Sequence, residues 1–219
     1  MKTGRRLVAC VSVLLLCGLF VPGRLSASSD HPGGEPQLRV VICDRVGMRA
    51  SELNVAGREF SRILRSAGIS VSLDYFSDSN PAGARTQAGC TIPVHLEGRY
   101  FQVVLVSEAP YTLSGDALGY AVGGAQPRAV VSINRARNFV ERHWSGTQGD
   151  LPILIGHVMA HELGHLLLPS RPHTAFGIMS TGWGVQQAAG AASGTLLFGG
   201  DQARAIQKGL LQPFRISGN

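Results

Sequence analysis

The chain has 219 residues, 44% of them hydrophobic, and a formal net charge of +6. Four of its 20 Lys and Arg residues lie within residues 1–27, and all 14 Asp and Glu residues follow that segment, so the remainder carries a formal charge of +2. This balance gives no basis for nucleic-acid binding or for attachment to an anionic membrane, and the length suits one domain with its own hydrophobic core.

The first 27 residues have the three parts of a secretory signal. Lys2, Arg5 and Arg6 form a basic start, residues 7–21 form an apolar run, and small residues at 25–27 suit cleavage. The apolar run is short for a bilayer span, although a retained membrane anchor is the alternative. We predict a signal peptide at 1–27, a polar leader at 28–37 and a single domain at 38–219. The mature protein is then expected to be secreted or periplasmic, with no stable membrane insertion.

Hydrophobic patterning divides the first part of the domain into strands and helices. Helical spacing predicts a helix at 51–67 that ends at Gly68. Residues 77–99 have the composition of a long loop, with a short strand within it at about 92–96. Residues 135–144 suit either a short helix or a turn-rich connection. Apolar or alternating runs predict five further strands, at 38–43, 69–76, 101–106, 118–122 and 129–133.

Two cysteines remain after the predicted signal is removed, Cys43 and Cys90. In an oxidising compartment such a pair favours one disulfide. Two separate buried thiols are the alternative.

A long apolar helix is predicted after Asp150, which would cap it, with Pro152 tolerated in its first turn. Near its end stands the sequence His161-Glu162-Leu163-Gly164-His165. Positions i and i+4 lie on one face of a helix, so both imidazoles can reach one metal ion. Glu162 then lies beside the metal, where it can accept a proton from a water molecule.

A catalytic zinc ion usually has three protein ligands and one open position. Beyond His165 the chain has no Glu, one Asp (Asp201) and one His (His173). Pro169 and Pro172 end the helix, and a turn there can bring His173 to the metal. Asp201 is the weaker candidate because it better suits the N-cap of a helix at 201–211. His157 lies one turn earlier on the helix and better suits a supporting role.

The residues His161, Glu162, His165, His173 and then Gly177-Ile178-Met179 resemble the metzincin clan of zinc peptidases. That clan has H-E-x-x-H-x-x-G-x-x-H followed by a turn containing methionine, the Met-turn. Here Leu168 stands at the clan's glycine position, and the third histidine comes two residues late. HELGHLLL, a later His and GIM also resemble small exported bacterial metallopeptidases.

This resemblance implies an α+β fold of zincin or metzincin type. It would have a twisted mixed sheet with an antiparallel edge strand, a central metal-binding helix, a Met-turn and a C-terminal helix. The edge strand would be residues 118–122, where a peptide substrate can add by main-chain hydrogen bonds. Met179 would form a hydrophobic floor below the ligands. Residues 181–195, rich in Gly, Ala and Ser, would form a loop at the rim of the cleft, and Trp183 lies in it.

The function predicted from these residues is hydrolysis of peptide bonds by an exported zinc endopeptidase. One zinc ion would be held by His161, His165 and His173, with Glu162 as the general base acting on a peptide or protein substrate. Two alternatives remain open: a zinc hydrolase of a non-protein amide, and a non-catalytic binding module stabilised by zinc. Cleavage of any amide distinguishes the enzymes from the module, and the intact Glu162 favours an enzyme because a structural zinc needs no base.

Overall fold

A computed structural model describes residues 36–77, 100–109, 115–144, 150–170 and 173–211. All of them belong to one compact unit, which spans Glu35–Asn219. The strands are β1 (Gln37–Asp44), β2 (Ser70–Ser77), β3 (Phe101–Val106), β4 (Gly119–Val122) and β5 (Arg128–Ser132). The helices are α1 (Ala50–Ser66), α2 (Ile133–His143), α3 (Leu151–Leu167), α4 (Val185–Ala192) and α5 (Gly200–Leu211).

The five strands form one mixed sheet in the order β2-β1-β3-β5-β4. Four of them are parallel, and β4 alone runs antiparallel, paired with β5 through the register Gly119↔Val131 to Val122↔Arg128. A parallel neighbour requires a crossover, and α1 provides it between β1 and β2. The antiparallel strand β4 therefore forms one edge of the sheet.

Helix α3 lies at the centre of the main hydrophobic core. It packs against β3, β4 and β5 on one side and against the other four helices elsewhere. Because it is enclosed in this way, apolar side chains point from nearly its whole circumference, and Leu154, Ile155, Met159 and Leu163 are fully buried. Its last turns carry the H-E-x-x-H residues, so the fold holds them on a rigid, central element.

Most of the predicted elements are confirmed. The mixed α+β class, the strands and the helix before Gly68 are present, and Gly68 has the positive φ of 70° expected for a residue that ends a helix. Residues 133–143 are helical, which settles the choice left open for that stretch. Among the described residues, no helix has the length and apolarity required to cross a membrane.

Three expectations are wrong. Residues 181–195 are not one loop, because α4 occupies residues 185–192; their Ala and Gln residues support a helix, with Ala188 and Ala191 packed in the core. Asp150 stands at the N-cap of α3, but its side chain makes no capping hydrogen bond. Asp201 lies inside the first turn of α5 instead of capping it.

Cys43 is buried and disulfide-bonded. It lies in a small second cluster with Val104 and Val130, away from the main core. The pairing with Cys90 stays a prediction because residue 90 lies outside the described residues, as do residues 1–35 and the strand predicted at 92–96.

Candidate metal centre and active site

The end of α3 determines where two of the candidate ligands lie. The helix continues to Leu167, and the amide of Leu168 still donates to the carbonyl of Gly164 at 2.9 Å. Leu168 itself has extended backbone angles (φ −84°, ψ 133°), as expected for a residue that precedes a proline. His161 and His165 therefore both stand on the last turns of α3, one above the other, with ring centroids 4.8 Å apart.

The chain turns back after α3 and brings His173 to the same place. The His173 ring centroid lies 5.4 Å from that of His161 and 4.7 Å from that of His165. The turn is held by main-chain pairing, since the amide of Thr174 donates to the carbonyl of Met179 at 2.9 Å. Gln202 of α5 also donates to the Thr174 hydroxyl at 3.3 Å. The turn between Thr174 and Met179 and helix α5 thus both support the segment that carries the third imidazole.

These three histidines are suited to hold one metal ion. Each offers one ring nitrogen, and the three nitrogens lie within 4.8 Å of one another. The Nε2 atoms of His161 and His165 are 3.1 Å apart. Tetrahedral zinc with Zn–N bonds of about 2.0–2.1 Å places its ligand nitrogens roughly 3.3 Å apart. The three imidazoles, one pair of which already has this spacing, therefore suit a zinc ion with a fourth position left for water.

His161 is prepared for metal binding by its surroundings. Its Nδ1 lies 2.6 Å from the carbonyl oxygen of Ile178, so Nδ1 carries the proton and Nε2 presents a lone pair. Burial, together with the charges of His165 and His173, lowers the pKa of His161 to about 4, against the opposing effect of the Ile178 hydrogen bond. The imidazole is therefore neutral near pH 7.

Glu162 is 5% exposed and lies against the beginning of β4. Burial raises the pKa of its carboxyl to about 8. A Cβ atom placed on Gly119 would lie 2.9 Å from the Glu162 Cγ and 3.0 Å from its Oε1. The missing side chain of Gly119 therefore leaves the space in which the Glu162 carboxyl lies.

Met179 lies against α3, next to the turns that carry His161 and His165. A Cβ atom on Gly164 would lie 2.5 Å from the Met179 sulfur and 2.9 Å from the Phe198 ring. The turn before Met179 includes Gly177, whose φ of 78° favours glycine, and the amide of Ser180 donates to its carbonyl at 3.1 Å. The close approach of this turn to α3 places the Ile178 carbonyl next to His161.

A cleft of about 570 Å³ opens over the histidines and Glu162. Trp183 forms part of its wall; its ring lies edge-to-face with His161 at a centroid distance of 5.3 Å, and its indole N–H donates to the Ser180 carbonyl at 3.1 Å. The cleft is lined by the H-E-x-x-H face of α3, by β4 and the residues before it, and by residues 180–183. The wall predicted around Trp183 is thus present, but only in residues 181–183, before α4 begins.

His157 and Asp201 lie away from this group. The His157 ring is fully buried, with Nδ1 3.0 Å from the Ile153 carbonyl and Nε2 3.4 Å from Glu59 of α1. The side chain of Asp201 is 96% exposed and pairs with Arg204. Neither residue belongs to the cluster formed by His161, His165 and His173.

Sequence reasoning did not identify Gly119, the Ile178 carbonyl or the residues that hold the upper side of the cleft. A glycine at the beginning of a short strand gives no specific signal, and a backbone carbonyl gives none. These groups act through contacts between segments far apart in the sequence.

No protein-family model and no curated protein matches this sequence. Among solved structures, the chain is similar to archaemetzincin from Methanopyrus kandleri, with a TM-score of 0.49 and 16% identity over 81% of this chain and 97% of that one. It is also similar to metalloproteinase-II from Bacteroides fragilis, with a TM-score of 0.47 and 14% identity over 82% of this chain. It spans 55% of that second protein's length. With TM-scores this low, the case for a function rests on the side chains of the site itself.

Proposed function

We propose that this chain is an exported zinc-dependent endopeptidase. The observation that carries the proposal is the convergence of three imidazoles and one buried carboxyl, Glu162, in a single cleft. The same cleft is bordered by the edge strand β4. A structural zinc site needs neither a carboxyl beside it nor an open cleft above it.

His161, His165 and His173 would hold the ion, and zinc bound there would supply Lewis acidity that lowers the pKa of a water molecule and polarises a carbonyl. In its ionised form, the Glu162 carboxylate would accept a proton from a water molecule in the cleft as that water's oxygen attacks the peptide carbonyl carbon. The carboxyl then passes that proton to the amide nitrogen as the C–N bond breaks. Gly119 keeps the carboxyl at its place by leaving its own Cβ position empty.

The substrate is proposed to bind as an extended strand along β4. Among the described residues, β4 pairs with β5 along one edge, and its other edge has no strand beside it. A peptide can pair with such an edge through main-chain hydrogen bonds. This mode places the substrate backbone across the cleft, above the histidines, and does not require a particular terminal group, which favours an endopeptidase.

The turn that carries Met179 is proposed to take the part of the Met-turn. Its support is the contact of the Met179 sulfur with α3 at Gly164 and the hydrogen bond from His161 to the Ile178 carbonyl. The turn thus fixes the ring of His161 directly, through the hydrogen bond to the Ile178 carbonyl, and it fixes α3 through the packing of Met179.

Export is supported by the disulfide at Cys43, because disulfides persist in oxidising compartments and are rare in the cytosol. It agrees with the signal peptide predicted at 1–27 and with a secreted or periplasmic location.

The test is cleavage of a mixed peptide library by the zinc-loaded domain, beside Glu162→Gln and the control Glu141→Gln. Glu141 is an exposed carboxylate on α2, outside the cleft. Cleavage by the parent and by Glu141→Gln, with none by Glu162→Gln, is the expected result. Cleavage by Glu162→Gln at the parental rate would exclude Glu162 as the general base. No cleavage by the parent, with zinc bound, would contradict peptidase activity and direct attention to a non-protein amide or a binding role.

A further inference from the structure

The upper side of the cleft is formed by residues 115–118, here called the rim segment, which lead directly into β4. All four of these residues line the cleft. If a substrate pairs with β4, its neighbouring residues would contact the rim segment, because the rim segment directly precedes β4 in the sequence. We infer that Arg135 of α2 is a positioning residue that fixes the rim segment for substrate binding; the functional part of this inference rests on the proposed peptidase activity.

The Arg135 guanidinium holds two carbonyl groups of the rim segment. Its Nη1 donates to the carbonyl of Ala117 at 2.9 Å and to that of Gly115 at 3.4 Å. A hydrogen bond from a charged donor is roughly twice as strong as one between neutral groups. One side chain thus fixes the orientation of two peptide groups in a stretch of four residues.

Arg135 is itself anchored close to the rim segment through Ser132. The Ser132 side chain caps α2 by accepting from the Arg135 amide, and the Ser132 amide donates to the Leu118 carbonyl at 2.9 Å. The carbonyls of Gly115, Ala117 and Leu118 are therefore all directed toward the junction of β5 and α2. These three hydrogen bonds hold the rim segment to the start of α2.

The orientation of these carbonyls determines which groups a substrate meets. A trans peptide directs its N–H opposite to its C=O. Because the carbonyls of Gly115 and Ala117 point to Arg135, the amide N–H groups of Asp116 and Leu118 point away from it. Both residues line the cleft, and we expect these two donors to face a carbonyl oxygen of a bound peptide.

The second basic contact to the rim segment is weaker. Arg142 lies 4.0 Å from Asp116, and the two side chains are 56% and 86% exposed. An exposed ion pair at this distance contributes little. Arg142 therefore reaches the side chain of Asp116 without fixing the peptide groups of the rim segment.

The experiment compares Arg135→Met and Arg135→Lys with the matched control Arg137→Met. Arg137 is an exposed arginine on the same helix that bonds Asn134 within its own turn. For a cleaved peptide, Arg135→Met is expected to raise KM about tenfold with kcat within about threefold, because it removes binding that is equal in the ground and transition states. Arg135→Lys should recover only part of the loss, since an ammonium lacks the planar arrangement of donors. Arg137→Met should match the parent.

Amide hydrogen exchange gives a readout that does not require turnover. In Arg135→Met the amides of residues 115–122 should exchange at least about tenfold faster, while those of α3 and the zinc affinity stay at parental values. Parental exchange and parental KM in Arg135→Met would overturn the inference. A fall in kcat with unchanged KM would also overturn it. If the parent cleaves no peptide, the proposed function fails, and the exchange rates alone decide whether Arg135 positions the rim segment.

Discussion

The Nδ1 atom of His161 lies 2.6 Å from the carbonyl oxygen of Ile178, a residue 17 positions later in the chain. This bond joins the helix that bears two imidazoles to the turn that follows the third. It keeps Nε2 of His161 free of a proton and directed toward His165 Nε2, 3.1 Å away. The arrangement of the candidate ligands is therefore set by main-chain groups as well as by the histidines themselves.

The first prediction concerns the third ligand. His173→Ala should lower zinc affinity by more than about 100-fold, because loss of a direct ligand exceeds the 10–100-fold typical of residues that support ligands. Asp201→Asn should leave the affinity unchanged, since its carboxylate is exposed and paired with Arg204. Competition with a chromophoric chelator measures both. Equal affinities for the parent and His173→Ala would exclude His173.

The second prediction concerns Gly119. An added methyl group would lie 2.4 Å from the Val130 carbonyl oxygen and 3.0 Å from Glu162 Oε1, so either the strand or the carboxyl must move. Gly119→Ala should reduce kcat about 100-fold, the scale of loss for a displaced catalytic group, with zinc affinity within about threefold of the parent. Gly199→Ala is the control, because Gly199 lies outside the cleft lining and the nearest contact of its Cβ would be Gln202 Oε1 at 3.6 Å, an ordinary distance. Turnover at the parental rate in Gly119→Ala would show that a methyl group at residue 119 does not displace the Glu162 carboxyl.

The third prediction tests the packing of Met179 on α3. Gly164→Ala should lower the free energy of unfolding by about 1–3 kcal/mol, since the new methyl group would overlap the Met179 sulfur and the Phe198 ring. Gly209→Ala, in α5, is a matched control: its Cβ would lie 3.7 Å from the Leu167 carbonyl oxygen, an ordinary contact. That variant should gain up to about 1 kcal/mol from helix propensity. Denaturant unfolding of the zinc-loaded proteins measures both, and a stabilised Gly164→Ala would contradict the close contact.

The fourth prediction is a pH dependence of stability from His157. Burial lowers the pKa of His157 below its ordinary value of 6.5, and the facing charges come from Glu59 and Arg62 of α1. The unfolded chain therefore binds a proton at pH values where the folded protein does not, and stability falls as the pH drops below about 6.5. The limiting slope for one such proton is about 1.4 kcal/mol per pH unit.

Glu59 contributes in a lower range. Its own burial would raise its pKa, but the hydrogen bonds and charge of Arg62 hold the pKa of Glu59 below its ordinary 4.5. Its stabilising contribution is therefore lost only below about that value. Between pH 6.5 and 5, His157→Phe should flatten the stability curve relative to the parent, with excess zinc present in both. Parallel curves for the two proteins would contradict a neutral buried His157.

The parts of the fold that follow from local patterns could be predicted from the sequence. Helical spacing located α1, apolar runs located the strands, and the prolines after Leu168 located the end of α3. The meeting of His173 with His161 and His165 was inferred by elimination, because few other ligand types follow the helix. Each of these inferences needs only neighbouring residues or simple counts.

The remainder depends on contacts between distant segments. Helix α4 was missed because Gly, Ala and Ser resemble a loop in composition, whereas the buried positions Ala188 and Ala191 become apparent only against the core. Gly119 leaves space for Glu162, which lies 43 positions later in the sequence. Arg135 donates hydrogen bonds to Gly115 and Ala117, 20 and 18 positions earlier. No sequence pattern links either pair of segments. Asp150 has the residue type and position of a cap, but its backbone is already helical (φ −85°, ψ −19°) and its side chain makes no capping hydrogen bond.

The shortness of β4 limits how much of a target this cleft can hold. Four residues of strand extend roughly 13 Å, enough to pair with about four residues of an extended chain. A stretch inside a native helix or sheet of another protein cannot offer its backbone in that form, because its hydrogen bonds are already made. The rate at which a folded target is cleaved would therefore depend on how much of that target is locally unfolded at equilibrium. The unfolding equilibrium of the target would then determine its susceptibility more than its amino-acid sequence.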